Sequence, residues 1–249
     1  MIEVHWQEQI EADVPAEDDW LGASEVTFLG GLRFAKRRAD WRLGRWTAKR
    51  ALAIWLGVPS HPEVLAKIEI RPAPSGAPEV FVANKPGPVT VSISHRGGRA
   101  ACAVAPSDIE MGCDLEFIEP HTDAFISDYF TLQEQALVTE APATDRPRLL
   151  ALLWSAKESA LKALHKGLRL DTRSVVVRPV EDSFGLNGWS PLQVHYTDGQ
   201  VFHGWGQQAD GIVRTLVAAP PPHPPIRLDD SGLRSGHGRP QRVEDWRLA

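Results

Sequence analysis

Residues 111–116 read MGCDLE and residues 153–168 read LWSAKESALKALHKGL. In the first stretch Met111, Cys113 and Leu115 alternate with Gly112, Asp114 and Glu116, the period-two pattern of a half-buried strand. Asp114 and Glu116 therefore share one side of that strand. In the second stretch Leu153, Ala156, Ala160 and Leu164 recur at helical spacing, and Glu158 and Lys162, four residues apart, share another face. Three carboxylates and the ammonium groups of Lys157 and Lys162 thus lie on elements that can meet. Hard oxygen ligands beside ammonium groups are what a magnesium-pyrophosphate site needs. Simpler readings stay open at this level: an exposed D-x-E strand face, and a surface Glu158–Lys162 pair worth a few tenths of a kcal/mol.

Outward from these stretches, PVTVSISH at 88–95 alternates as a second strand, and AACAVA at 100–105 reads as a fully buried strand between the two. A helix is expected over about 33–56. Trp41, Ala48, Leu52 and Trp55 form its apolar face and Arg38, Arg42, Arg45 and Lys49 a neighbouring basic stripe. Gly44 is a point of interruption, and Gly57 and Pro59 end it. A second helix over about 146–166 starts at a Thr144 or Asp145 cap with Pro147 in its first turn and stops at Gly167.

The chain repeats itself once. WTAKRA at 46–51 resembles WSAKES at 154–159, IEIRP at 68–72 resembles VVVRP at 175–179, and GRAACAVAP at 98–106 resembles GIVRTLVAAP at 211–220. Three matches in the same order at nearly constant offset argue for a duplicated unit. The expected fold class is α+β: two pseudo-twofold-related halves, each a long helix packed on a small antiparallel sheet. Their expected bounds are 1–108 and 109–220, followed by a flexible Pro/Gly-rich tail over 221–249 in which VEDWRL could dock as a short helix.

Bulk properties narrow the class. The 249 residues suffice for a sizeable core, and no apolar run approaches the ~20 residues of a membrane span. The N-terminus is acidic and lacks the regions of a signal peptide, and two cysteines make no disulfide framework, so a cytoplasmic enzyme is expected. The net charge of −5 conceals eight basic residues between 33 and 50 against one acid, a cluster that suits an anionic ligand. The acidic balance argues against a nucleic-acid partner. No GxxxxGK[ST] loop is present, which weakens a nucleotide kinase or NTPase reading.

MGCDLE followed by LWSAKESALKALHKGL closely resembles the paired motifs of 4′-phosphopantetheinyl transferases of the two-domain, surfactin-synthetase-activating type. SISHRGG at 92–98, KRRADWRLGRWTAKRAL at 36–52 and SGAPEV at 75–80 resemble further elements of that family. Ser92, Arg96 and Ala77 depart from its usual residues. The resemblance implies transfer of the phosphopantetheine arm of coenzyme A to a serine of an apo carrier protein, with release of 3′,5′-ADP. It implies Mg²⁺ held by Asp114, Glu116 and Glu158, with Glu158 as base for the serine and Asp114 and Lys162 as its catalytic neighbours. Lys162 would steady the pyrophosphate and protonate the leaving phosphate. Lys157 would pair with a phosphate, Ser94 and His95 would contact the coenzyme, and Lys36, Arg37 and Arg45 would take its 3′-phosphate and adenine end. A carrier-protein groove between the halves, near residues 117–140, and a monomer are also implied. The competing expectations are another Mg²⁺-dependent phosphotransfer enzyme and a non-catalytic module that binds coenzyme A or a carrier protein.

Overall fold

In the computed structural model, which describes residues 1–166, 169–179 and 188–229, two long helices organise the chain. The first half comprises β1 (His5–Ile10), α1 (Ala23–Gly31), α2 (Ala35–Leu56), α3 (Pro62–Leu65), β2 (Ile68–Pro72), β3 (Pro78–Val82), β4 (Lys85–Pro86), β5 (Val89–Arg96) and β6 (Arg99–Pro106). The second comprises β7 (Glu110–Phe117), α4 (Asp123–Tyr129), α5 (Leu132–Glu140), α6 (Arg146–Ala163), β8 (Val175–Pro179), β9 (Trp189–Tyr196), β10 (Val201–Ala209) and β11 (Ile212–Ala219), with β12 (Ile226–Arg227) after it. Helices packed on antiparallel sheets make this an α+β fold, as the periodicities predict. No described helix is long and apolar enough to cross a membrane.

The duplication is visible in the strand order. The second half forms a five-stranded sheet, β7-β11-β10-β9-β8. In the first half β1, β6 and β5 lie side by side and β3 and β2 continue as a separate sheet, so corresponding strands run in the same order with one break. Helix α2 covers the first sheets with Ala48, Leu52 and Leu56, and α6 covers the second with Leu153, Ala156 and Ala160. Between the halves lies a separate apolar seam of Val4, Ala103, Ala105, Met111, Cys113, Leu216 and Ala218. Its small alanines let the two sheets approach closely.

Two glycines set helix-to-sheet distances. A Cβ at Gly112 of β7 would stand 1.8 Å from the Ser159 carbonyl oxygen, so α6 rests directly on this strand's backbone. At Gly44 a Cβ would reach Ile93 at 3.4 Å and His95 at 3.8 Å. Helix α2 runs through Gly44 without a break, contrary to the expected interruption, because the small residue serves packing against β5. Gly57, with φ of 68°, ends α2 as expected.

The first nine residues of the expected tail are structured, and residues 230–249 lie outside the described residues. Ile2 bridges to Pro222, β12 pairs in parallel with β1, and Leu228 packs on the first core, so residues 221–229 belong to the fold. Backbone pairing to the free edge of β1 outweighs the local Pro-rich character. The VEDWRL segment and the Gly167 helix stop lie outside the described residues.

A polar clamp spans the halves. Glu8 of β1 accepts hydrogen bonds from Arg214 of β11, one at 2.9 Å from Nη2 and a second from Nε, and from Arg99 of β6 at 3.1 Å. Arginine forks suit a carboxylate in this way. The clamp's charges hold the Glu8 carboxyl below its ordinary range against the opposing effect of burial.

Candidate active site at the junction of the halves

Strand β5 of the first half lies against β7 of the second, and α6 lies over β7. Ser92 and Ser94 of β5 bridge the strands: Ser92 Oγ accepts from Cys113 N at 2.9 Å, and Ser94 Oγ donates to Asp114 Oδ1 at 2.7 Å. From α6, Lys162 Nζ donates to the same Asp114 oxygen at 2.8 Å and to the Cys113 carbonyl at 3.0 Å. Asp114 is thereby fixed from both sides at 5 % exposure. Its other oxygen, Oδ2, has no hydrogen-bond partner, and neither does Glu158 Oε1 one turn before Lys162.

Glu116 lies further along the same side of β7. Arg96, at the tip of the β5–β6 hairpin, approaches it to 3.3 Å while pairing with Glu119 at 2.7 Å. Burial, followed by repulsion from Asp114, raises the Glu116 carboxyl to about 7. Burial and Asp114 raise Glu158 as well. Lys162 is pulled down by burial, but Asp114, Cys113 and Glu158 outweigh that and hold it above its ordinary value.

The orphaned, mutually repelling oxygens fit a hard divalent cation, which would relieve both the missing partners and the repulsion. Among the described residues, however, no three His, Cys, Asp or Glu side chains are already gathered as a metal-binding group. Asp114 and Glu158 offer free oxygens, while Glu116 is engaged by Arg96.

Beside the carboxylates a cavity of about 350 Å³ opens between α2, the Ser75–Pro78 loop, β5 and the end of α6. Its ionisable lining residues are Arg45, His95, Lys162 and His165, with no carboxylate among them. Trp41 Nε1 and Arg45 Nε have no hydrogen-bond partner; the carboxylate nearest to Arg45 Nε is Glu25 at 3.8 Å. A cavity lined by Arg45, Lys162 and two imidazoles, with no carboxylate on its wall, suits an anionic ligand. Burial lowers the His95 imidazole; Asp40 and Asp114 oppose the shift, and Lys162 adds to it.

Of the residues singled out by sequence, Asp114, Glu116, Glu158, Lys162, His95 and Arg45 converge here. Three expectations are corrected. Lys157 is fully buried; its ammonium donates to the Thr172 and Val175 carbonyls and pairs with Glu134 at 2.8 Å. It faces the core of the second half because it is one residue, about 100° around the helix, from Glu158. Ser94 spends its hydroxyl on Asp114 and is absent from the cavity wall. Lys36 and Arg37 are exposed on the first turn of α2, nine and eight residues or roughly 12–14 Å along the axis from Arg45, and are absent from the cavity wall. Residues 117–140 carry α4 and α5, which pack on α6 beside a cleft of about 500 Å³ lined by His121, Ile126, Gln135 and Arg146. Phe125, Tyr129 and Phe130 cluster around Trp154 there, as core packing predicts.

Sequence reasoning missed Trp41, the Ser75–Pro78 loop and His165 as cavity residues. Trp41 counted as an apolar helix face, and its place beside Arg45, whose guanidinium lies 5.0 Å from the indole centre, depends on packing. Arg38 and Arg42 are structural: Arg38 donates to the Leu29 carbonyl at 2.7 Å, and Arg42 binds Pro15 and Asp18.

Residues 110–205 match the family model of the 4′-phosphopantetheinyl transferase superfamily. The matched segment contains Asp114, Glu116, Glu158 and Lys162. No curated protein matches the chain. Among solved structures, a holo-(acyl-carrier-protein) synthase from Bacillus anthracis str. Ames, in complex with CoA (3′,5′-ADP), is 22% identical with a TM-score of 0.35, covering 41% of this chain and 93% of its own. The Helicobacter pylori holo-[acyl-carrier-protein] synthase, in complex with coenzyme A, is 20% identical with a TM-score of 0.34, covering 42% of this chain and 99% of its own.

Proposed function

We propose that this protein transfers the 4′-phosphopantetheine arm of coenzyme A to a serine of an apo carrier protein, at a single site between its two halves. The observation that carries this reading is Lys162, which lines a cavity whose ionisable residues are all nitrogenous and bonds Asp114, with Glu158 one turn before it and all three within the family-matched segment. A ligand with several phosphates would meet Arg45, His95 and Lys162, and a divalent cation on its pyrophosphate would meet the free oxygens of Asp114 and Glu158.

Mg²⁺, held by Asp114 and Glu158 with Glu116 as the third carboxylate, would supply charge neutralisation of the pyrophosphate. In the reaction the carrier serine oxygen bonds to the β-phosphorus of coenzyme A, the bond from that phosphorus to the bridging oxygen breaks, and 3′,5′-ADP leaves. Glu158 accepts the serine proton, and its raised basicity suits that role. Lys162, held above its ordinary value, stays charged at neutral pH. It therefore serves better as a fixed cation beside the leaving phosphate than as its proton donor. Ser94 positions Asp114. Because both halves of the site come from one duplicated chain, a monomer suffices, and free buried Cys102 and Cys113 suit a reducing cytoplasm.

The test is incubation with Mg²⁺, coenzyme A and apo carrier proteins of fatty-acid, polyketide and peptide-synthetase origin, read by intact mass. Addition of the phosphopantetheinyl mass to one of them is expected. No addition to any, with coenzyme A still bound, would establish instead the non-catalytic binding module.

A further inference from the structure

His165 closes α6 in a conformation that favours glycine. It follows the helix C-cap Leu164, its φ is 54°, and it lines the 350 Å³ cavity with Arg45, His95 and Lys162. The position just past a helix end is most often glycine, because a side chain strains the backbone in the left-handed region. Local stability alone would therefore favour glycine here. Its backbone N–H donates to the Lys162 carbonyl at 3.0 Å, a bond that glycine would make equally well, so the helix end does not require an imidazole. Strained non-glycine residues cluster where a side chain is needed at a ligand.

We propose that His165 is an additional ligand-binding residue of this site, donating from its imidazole to a phosphate oxygen of the coenzyme bound in the cavity. This rests on the proposed coenzyme A reading. The surroundings support the assignment: no carboxylate lines the cavity to take up the imidazole, and Lys162, one turn back on the same helix, lines the same wall. An anion held between Arg45 on α2 and His165 at the end of α6 would be gripped by both halves at once.

The experiment compares the wild-type chain with H165G and H165N by calorimetric titration with coenzyme A and by thermal denaturation without ligand. For H165G the expected result is a melting temperature equal to or above wild type, because the strain is removed, together with roughly five- to tenfold weaker coenzyme A binding, the scale of one charge-assisted hydrogen bond. H165N, which tolerates the left-handed region and keeps a donor, is expected to fall between them. Wild-type affinity in H165G would overturn this inference while leaving the function standing. So would a lowered melting temperature in both variants, which would mark His165 as structural. Failure of the wild-type chain to bind coenzyme A would overturn the proposed function itself.

Discussion

Lys49 of α2 and Lys157 of α6 occupy the same place in the two halves. Lys49 donates to the Trp20 and Leu65 carbonyls and pairs with Glu25 at 2.5 Å; Lys157 donates to the Thr172 and Val175 carbonyls and pairs with Glu134 at 2.8 Å. Each glutamate caps its own short helix and also accepts from a strand N–H, Ile70 for Glu25 and Val177 for Glu134. The duplication thus preserves a buried polar lock joining helix, cap and strand, every partner of which is satisfied.

Removing either lysine leaves a buried carboxylate without its counter-charge. K49A and K157A are each expected to lose about 3–5 kcal/mol of stability. Denaturant unfolding checks this. Equal losses in the two variants would support a shared structural role, and a stable K157A with impaired coenzyme binding would contradict it.

Gly112 has no room for a side chain. G112A drives a methyl into the Ser159 carbonyl, 1.8 Å from the added carbon, and must push α6 off β7. A destabilisation of ~3 kcal/mol or more is expected, at the upper end of overpacking effects. Thermal denaturation reads it directly; a melting temperature within two degrees of wild type would refute the packing account.

Glu116 makes the protein's stability depend on pH. Its folded carboxyl sits at about 7 against an ordinary 4.5, chiefly through burial. Between those values the folded chain binds the proton more tightly than the unfolded chain. Its contribution is therefore fully present below about pH 4.5 and is lost as pH rises through 7, by roughly 1–3 kcal/mol. Melting curves in chelator should show this decline and E116Q should flatten it. Mg²⁺, where it binds, should restore more stability at pH 7.5 than at pH 5.

Glu158 and Asp114 repel one another, and Glu158 Oε1 lacks a partner. E158Q is expected to keep or slightly raise the metal-free melting temperature while lowering carrier modification by at least ~100-fold, the scale of a lost general base. Single-turnover mass assays on folded protein check it. Activity near wild type would remove Glu158 from the proton-accepting role.

Much of the candidate site's geometry was legible because its residues lie in short periodic stretches. Period two placed Asp114 and Glu116 on one side of β7, period 3.6 placed Glu158 and Lys162 on one face of α6, and the repeated stretches fall on strands that follow the same order in their sheets. What failed was the direction of neighbouring charges. Lys157 and Lys162 read alike in sequence, yet one is locked in the core and the other reaches Asp114. Lys36, Arg37 and Arg45 read as one basic cluster, yet only Arg45 meets the cavity. Local spacing determines which residues of one element share a face, since that follows from backbone geometry alone. Which face meets which partner depends on contacts between distant segments. Only the packed structure decided that the carboxylates of one half stand beside a cation-lined cavity shared with the other, and that His165 completes its wall.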